Sequence, residues 1–102
     1  MSNKLKVMIS QPMRGKTNEQ IKQERAEVVK KLEMQGHEVV DTIFTEEMPI
    51  ECDMAMYLLA KSIEAMSKVD AVVFMRGWQN ARGCKIEHQV AVDYGKFIKE
   101  EQ

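Results

Sequence analysis

The run Asp70-Ala71-Val72-Val73-Phe74-Met75 constrains this chain more than any other segment. Its β-branched and aromatic residues follow one another without polar alternation. That pattern reads as a strand covered on both faces, which arises when helices flank a parallel sheet. The run is far too short to cross a membrane, a task needing about 20 apolar residues. A chain of 102 residues has room for one such sheet with its helices, and not for two cores.

The flanking segments supply the rest of that sheet. Leu5-Lys6-Val7-Met8-Ile9-Ser10 reads as a first strand, stopped by Pro12 and Gly15. Thr17-Asn18-Glu19-Gln20 fits a capping box, after which Ile21, Val28, Val29 and Leu32 recur at helical spacing until Gly36 ends the helix. His37-Glu38-Val39-Val40-Asp41 reads as a second strand. Residues 43–52 look irregular, with Pro49 and an acidic cluster of Glu46, Glu47 and Glu51. Asp53 suits the cap of a second helix whose stripe is Met56, Leu59, Ile63 and Met66. The apolar run is the third strand, and 76–81 is a loop. Gly83 to Tyr94 forms a third helix ended by Gly95, and Phe97-Ile98 adds a short fourth strand.

Strands alternating with helices imply right-handed crossovers. The expected architecture is a three-layer, flavodoxin- or Rossmann-like α/β domain spanning 1–102. It has a four-stranded parallel sheet of order 2-1-3-4 and helices on both faces. In such sheets the ligand crevice opens beyond the C-terminal strand ends, where successive connections leave in opposite directions. Here that point lies between strands one and three, and the segments meeting there are Ser10-Gln11-Pro12-Met13-Arg14-Gly15-Lys16 and Arg76 to Arg82.

Those segments hold the unusual chemistry of the chain. Ser10 and Gln11 offer polar side chains, Pro12 stiffens the turn, Met13 follows it, and Gly15 lets backbone approach a ligand. Arg14 or Lys16, with the first amides of helix one, suits a phosphate; as ordinary loop charges both would simply be solvated. The pattern is neither a Walker loop nor a GxGxxG fingerprint. Trp78, the only tryptophan, either lids the sheet end or presents a face to a planar base, beside Asn80 and Arg82. In Arg82-Gly83-Cys84-Lys85-Ile86-Glu87-His88, Glu87 is expected in the first helical turn, on an inward stripe with Gly83, Val90, Ala91 and Tyr94. A charge turned inward costs free energy unless something uses it. The alternative is that Glu87 complements the helix N-terminus, worth about 0.3–1 kcal/mol. His88 reads as a surface histidine.

Composition removes several function classes. Fifteen basic and sixteen acidic side chains nearly cancel, so nothing favours coating a nucleic-acid polymer. Cys52 and Cys84 are isolated, and no signal-peptide pattern opens the sequence, so free thiols in a reducing cytoplasm are expected. His37 and His88 lack partners at ligand spacing; neither a metal nor a cofactor is expected. Of the nine methionines, Met48, Met54, Met56 and Met66 gather around one loop and helix, filling a core or marking a subunit contact.

The segments Ser10-Gln11-Pro12-Met13-Arg14-Gly15 and Arg82-Gly83-Cys84-Lys85-Ile86-Glu87-His88, with Tyr94-Gly95, resemble the nucleoside 2-deoxyribosyltransferase-like superfamily, closest to a small branch of phages and bacteria. The likeness covers nearly the whole chain. It implies a small-molecule nucleoside or 5′-monophosphate as partner, and N-glycosidic cleavage or 2-deoxyribosyl transfer in which Glu87 attacks the anomeric carbon. Ser10, Gln11, Arg14 and Gly15 would hold the phosphate or sugar, Trp78 with Asn80 would face the base, and Pro12, Met13, Arg82 and Gly83 would complete the site. It also implies a homodimer or larger homo-oligomer. Two positions depart from the enzymes: Ser62 stands where they carry an aspartate assisting the leaving base, and Ala81 where they carry Asp or Ser. The resembling enzymes also use a C-terminal segment that these 102 residues do not include. The departures favour a second expectation, a non-catalytic nucleotide-binding or sensing module; a small oligomeric scaffold is a third.

Overall fold

A computed structural model describes residues 4–40 and 52–101. Its elements in chain order are β1 (Lys6–Ser10), α1 (Asn18–Met34), β2 (Glu38–Val40), α2 (Met54–Met66), β3 (Ala71–Phe74), α3 (Arg82–Asp93) and β4 (Phe97–Glu100). A short 3₁₀ turn, Trp78–Asn80, interrupts the segment expected to be plain loop. The strands form one parallel sheet of order β2-β1-β3-β4, the expected topology. Asp41 and the acidic stretch with Glu46, Glu47, Met48, Pro49 and Glu51 lie outside the described residues.

Alternation along β1 builds both cores. Val7 and Ile9 meet Val28 and Leu32 of α1, along with Ala71, Val73 and Met75. Met8 points to the other face, where it joins Val72, Phe74, Met66 of α2 and Ala91 of α3. The sheet is therefore the middle of three layers, with α1 on one side and α2 and α3 on the other. Every residue of β3 is buried, which is why that strand carries no polar position.

Local signals account for the helix ends. Thr17 accepts the Gln20 backbone N–H at 3.1 Å while the Gln20 side chain accepts the Thr17 N–H at 2.9 Å, completing the capping box. Asp53 accepts the Met56 N–H at 3.1 Å. Gly36 and Gly95 follow α1 and α3 with φ of +89° and +71°, the left-handed conformation that ends a helix at least cost.

Two expectations about faces need correction. Met56, assigned to the inward stripe of α2, is 67% exposed; Leu59 and Ile63 are half-buried and only Met66 is fully enclosed. Tyr94, assigned to the inward stripe of α3, is 78% exposed, because α3 ends at Asp93 and Tyr94 has already left helical dihedrals. On α1 the charged Arg25 is buried. β4 runs two residues beyond Phe97-Ile98 and is prolonged by the Glu101 N–H donating to Phe74 O at 2.8 Å. No helix among the described residues is long and apolar enough to cross a membrane.

Because the capping box settles two backbone donors at once, Thr17→Ala should cost about 1 kcal/mol. Urea denaturation should show a lower midpoint with an unchanged slope; an unchanged midpoint would mean the cap contributes nothing.

Candidate active site

The ends of β1 and β3 are tied together before their chains part. Ser10 is paired with Phe74, and one residue on, the Met75 N–H donates to Ser10 O at 3.0 Å. The first chain then turns towards α1 on one face and the second towards α3 on the other. Their loops still touch: a Cβ placed on Gly77 would lie 3.9 Å from Pro12 Cγ, and Gly77 has φ +88°, which favours glycine. Between them opens a cleft of about 840 Å³, within the ~300–1,000 Å³ of small-molecule sites.

Glu87 reaches this cleft from the second turn of α3, one turn later than expected. The difference matters, since the field of a helix end fades within its first turn. Complementing the helix dipole therefore does not explain this residue. Glu87 is 8% exposed, on the same buried stripe as Cys84 and Ala91, and makes no ion pair or side-chain hydrogen bond among the described residues. Burial pushes its pKa up to about 7, with the nearby Ser10 hydroxyl pulling partly the other way. Burial likewise raises the Cys84 thiol, Ser10 opposes this, and the Glu87 charge adds to it. Cys84 is thus held as a thiol.

Two more buried polar groups sit beside this carboxylate. Ser10 is 2% exposed and its Oγ makes no hydrogen bond of ordinary geometry. Gln11 is 7% exposed and lines the cleft; its Nε2 donates to Ile21 O at 2.8 Å, while its Oε1 has no partner. Held by that one bond, Gln11 keeps a buried acceptor unpaired at the edge of the cleft.

The mouth has the opposite character. Arg14, Lys16, Arg76, Arg82 and Lys85 all line the cleft, against a single acidic side chain, Glu87, among the described residues. Lys16 is engaged with Glu24 at 2.9 Å. Arg14, Arg82 and Lys85 are exposed and make no ion pair among the described residues. Ala81 is the N-cap of α3 and provides no side-chain cap, so the first amides of that helix open beside Arg82 and Gly83 on the cleft wall. The facing wall comes from α2, whose Ala55, Leu58 and Leu59 are apolar and whose Ser62 is polar.

Of the residues singled out by sequence, Gln11, Pro12, Met13, Arg14, Asn80, Arg82, Gly83 and Glu87 line the cleft together. Ser10 lies buried beneath it. Gly15 does not line it: with φ +80° and the Lys16 N–H donating to Met13 O at 3.2 Å, it turns the loop and leaves the lining to its neighbours. Trp78 is not a free stacking face either. His88 lies against it in parallel, ring centroids 4.1 Å apart at 12°, and Phe74 packs at 5.6 Å. His88 in turn contacts Glu100 at 2.6 Å and Phe74 at 4.8 Å, so it fastens α3 to β4 and is not a free surface histidine.

Sequence reasoning missed Cys84 and Lys85 as lining residues; Cys84 follows from Glu87 facing the cleft three residues on, while Lys85, two residues away, shares no face with it. It also missed the wall of α2. Nothing in the Ala55, Leu58, Leu59 spacing separates a cleft wall from a core stripe until α2 is placed across from the α3 N-terminus. No group of three His, Cys, Asp or Glu is placed to hold a metal among the described residues.

A three-layer α/β domain with a buried carboxylate under a basic-rimmed cleft at the strand-order reversal is the class of protein defined here. Residues 5–100 match the family described as "Domain of unknown function (DUF4406)", and the chain belongs to that family. No curated protein and no solved structure matches it.

The raised pKa makes stability depend on pH with a definite sign. A carboxyl at about 7 when folded and 4.5 when unfolded binds its proton more tightly in the folded state. Its contribution is full below about pH 4.5, declines as pH rises to about 7, and is flat beyond, a total loss of about 3 kcal/mol. Glu87→Gln cannot ionise and escapes that loss. Its melting temperature relative to the parent should therefore rise between about pH 5 and pH 8. A gap independent of pH would contradict the burial of an ionisable carboxyl here.

Proposed function

We propose that this domain binds a nucleoside or nucleoside 5′-monophosphate and cleaves or transfers its N-glycosidic bond through Glu87. The observation that carries the reading is the buried, unpaired Glu87 carboxyl on the cleft floor, surrounded by three chemically distinct zones. The unpartnered Gln11 Oε1 suits a sugar hydroxyl as donor. Arg14 suits a phosphate. Ala55, Leu58 and Leu59 suit the flat, weakly polar face of a base, the part first assigned to Trp78. The resemblance of both loop motifs to the nucleoside 2-deoxyribosyltransferase-like superfamily supports the same reading.

In this mechanism the ionised Glu87 attacks the anomeric carbon as the bond to the base breaks, giving a glycosyl-enzyme that water or a second base resolves. The low-dielectric floor leaves the carboxylate poorly solvated and reactive once ionised. Only the ionised form attacks, so the rate should rise with pH through about 7 and then level. The Ser10 hydroxyl beneath favours the ionised form.

A second reading, a binding module without turnover, draws on two positions. Ser62 lines the cleft where the resembling enzymes carry an acid for the leaving base, and Ala81 leaves α3 uncapped. One experiment separates the two. Deoxynucleosides and their monophosphates are incubated with the protein, free base is quantified by chromatography, and melting shifts are recorded in parallel. Catalysis predicts base release that vanishes in Glu87→Ala. A melting shift without base supports the binding module. Neither effect across purines and pyrimidines removes both readings.

A further inference from the structure

The cleft sets a basic mouth above a carboxylate on its floor. Arg82 and Lys85 stand on the first turn of α3, around amides that no side chain caps, and Glu87 projects from the next turn of the same helix. Gly83 and Glu87 are separated by about 6 Å along the helix axis, and side chains on a helix lean towards its N-terminus. An anomeric carbon seated on the Glu87 carboxylate is therefore within one substituent's length of these donors. A second observation also points to a ligand: Gln11, nine-tenths buried, lines the same cleft and holds a buried acceptor with no partner. An acceptor on the floor calls for a hydroxylated ligand, and donors at the mouth call for an anionic one. A neutral base meets neither requirement at the α3 N-terminus; a phosphate bonded to the anomeric carbon meets the second while its sugar meets the first.

We infer that the cleft takes glycosyl phosphates, sugars whose anomeric oxygen carries a phosphoryl group, with the phosphate leaving towards Arg82, Lys85 and the first amides of α3. This rests on Glu87 as the glycosyl nucleophile and differs from the reading above in the leaving group. In the first step a Glu87 oxygen bonds to the anomeric carbon while the bond from that carbon to the phosphate oxygen breaks. From the monoprotonated ester the electron pair leaves as hydrogen phosphate dianion, which needs no proton from the protein. In the second step water bonds to the anomeric carbon, the ester to Glu87 breaks with its electron pair returning to the carboxylate, and one proton passes to solvent. The products are free sugar and inorganic phosphate. This route uses no acid at the position of Ser62. Cations and oriented amides at a departing anion are among the strongest means of stabilising such a transition state.

The test follows inorganic phosphate released from ribose 1-phosphate and 2-deoxyribose 1-phosphate by phosphorus NMR, beside base release from deoxynucleosides and their monophosphates under the same conditions. The proteins are the parent, Glu87→Gln, and the exposed double variant Arg82→Gln with Lys85→Gln. Phosphate release by the parent, abolished in Glu87→Gln and lowered roughly tenfold or more in the double variant, is the expected result. Base release without phosphate release overturns the inference and leaves the nucleoside reading standing. Phosphate release insensitive to Arg82 and Lys85, or retained in Glu87→Gln, overturns the inference as well. Neither phosphate nor base removes Glu87 as a glycosyl nucleophile altogether.

Discussion

Everything at the candidate site depends on the parallel pairing of β1 with β3. Four consecutive residue pairs, from Val7 with Ala71 to Ser10 with Phe74, fix the two strands side by side. Both are buried on both faces, so a slip of one residue would exchange Val7 and Ile9 with Met8 and disrupt two cores at once. The register therefore sets, without help from the loops, which residues emerge together at the C-terminal rim. Ser10, Gln11 and Met75 come out adjacent, and the backbone bond from Met75 to Ser10 holds their loops together at the root. The opposite departures towards α1 and α3 then force the loops apart, and the cleft is the space this leaves.

Into that space the chain puts groups that lower its own stability. A carboxyl without an ion pair, a serine hydroxyl and a glutamine carbonyl oxygen are buried at the same rim. Each such group costs about 1–3 kcal/mol when left without a partner. Elsewhere polar groups are well satisfied: Asp70 accepts the Lys6 N–H at 2.9 Å, and Lys96 donates to Val69 O at 2.7 Å, both at the opposite end of the sheet. Unsatisfied groups collected at one end of a fold that settles its polar groups at the other mark a surface shaped for a ligand. Trp78 Nε1 is also unpartnered, but it lies in the aromatic stack with His88 and not on the cleft wall.

The sheet was legible because its signals are local and strong. The uninterrupted apolar β3, the Thr17 to Gln20 capping box, Asp53 and the terminal glycines each determine one element, and alternation of types leaves few topologies. The inward face of Glu87 was legible too, from its spacing to Ala91. Its turn needs the count of residues: from the expected start at Gly83 Glu87 is already fifth, and from the actual start at Arg82 it is sixth, in the second turn either way. The neighbour of Trp78 was not legible, because His88 lies ten residues on and only the 3₁₀ turn and the position of α3 bring it over the indole. Arg25 and Met56 show the other limit. Which side of an amphipathic helix is truly enclosed depends on what lies across from it, and a one-dimensional pattern does not contain that neighbour.

The site depends on one physical condition: Glu87 is an ionisable group largely kept from water, with no ion pair among the described residues to compensate it. Carbon NMR of isotope-labelled glutamate carboxyls, with the Glu87 resonance assigned by its loss in Glu87→Gln, follows that titration directly. A midpoint near 7 is the expected result. A midpoint close to 4.5, the value of a solvated glutamate, would contradict it, and the carboxylate would then belong to solvent and not to a site.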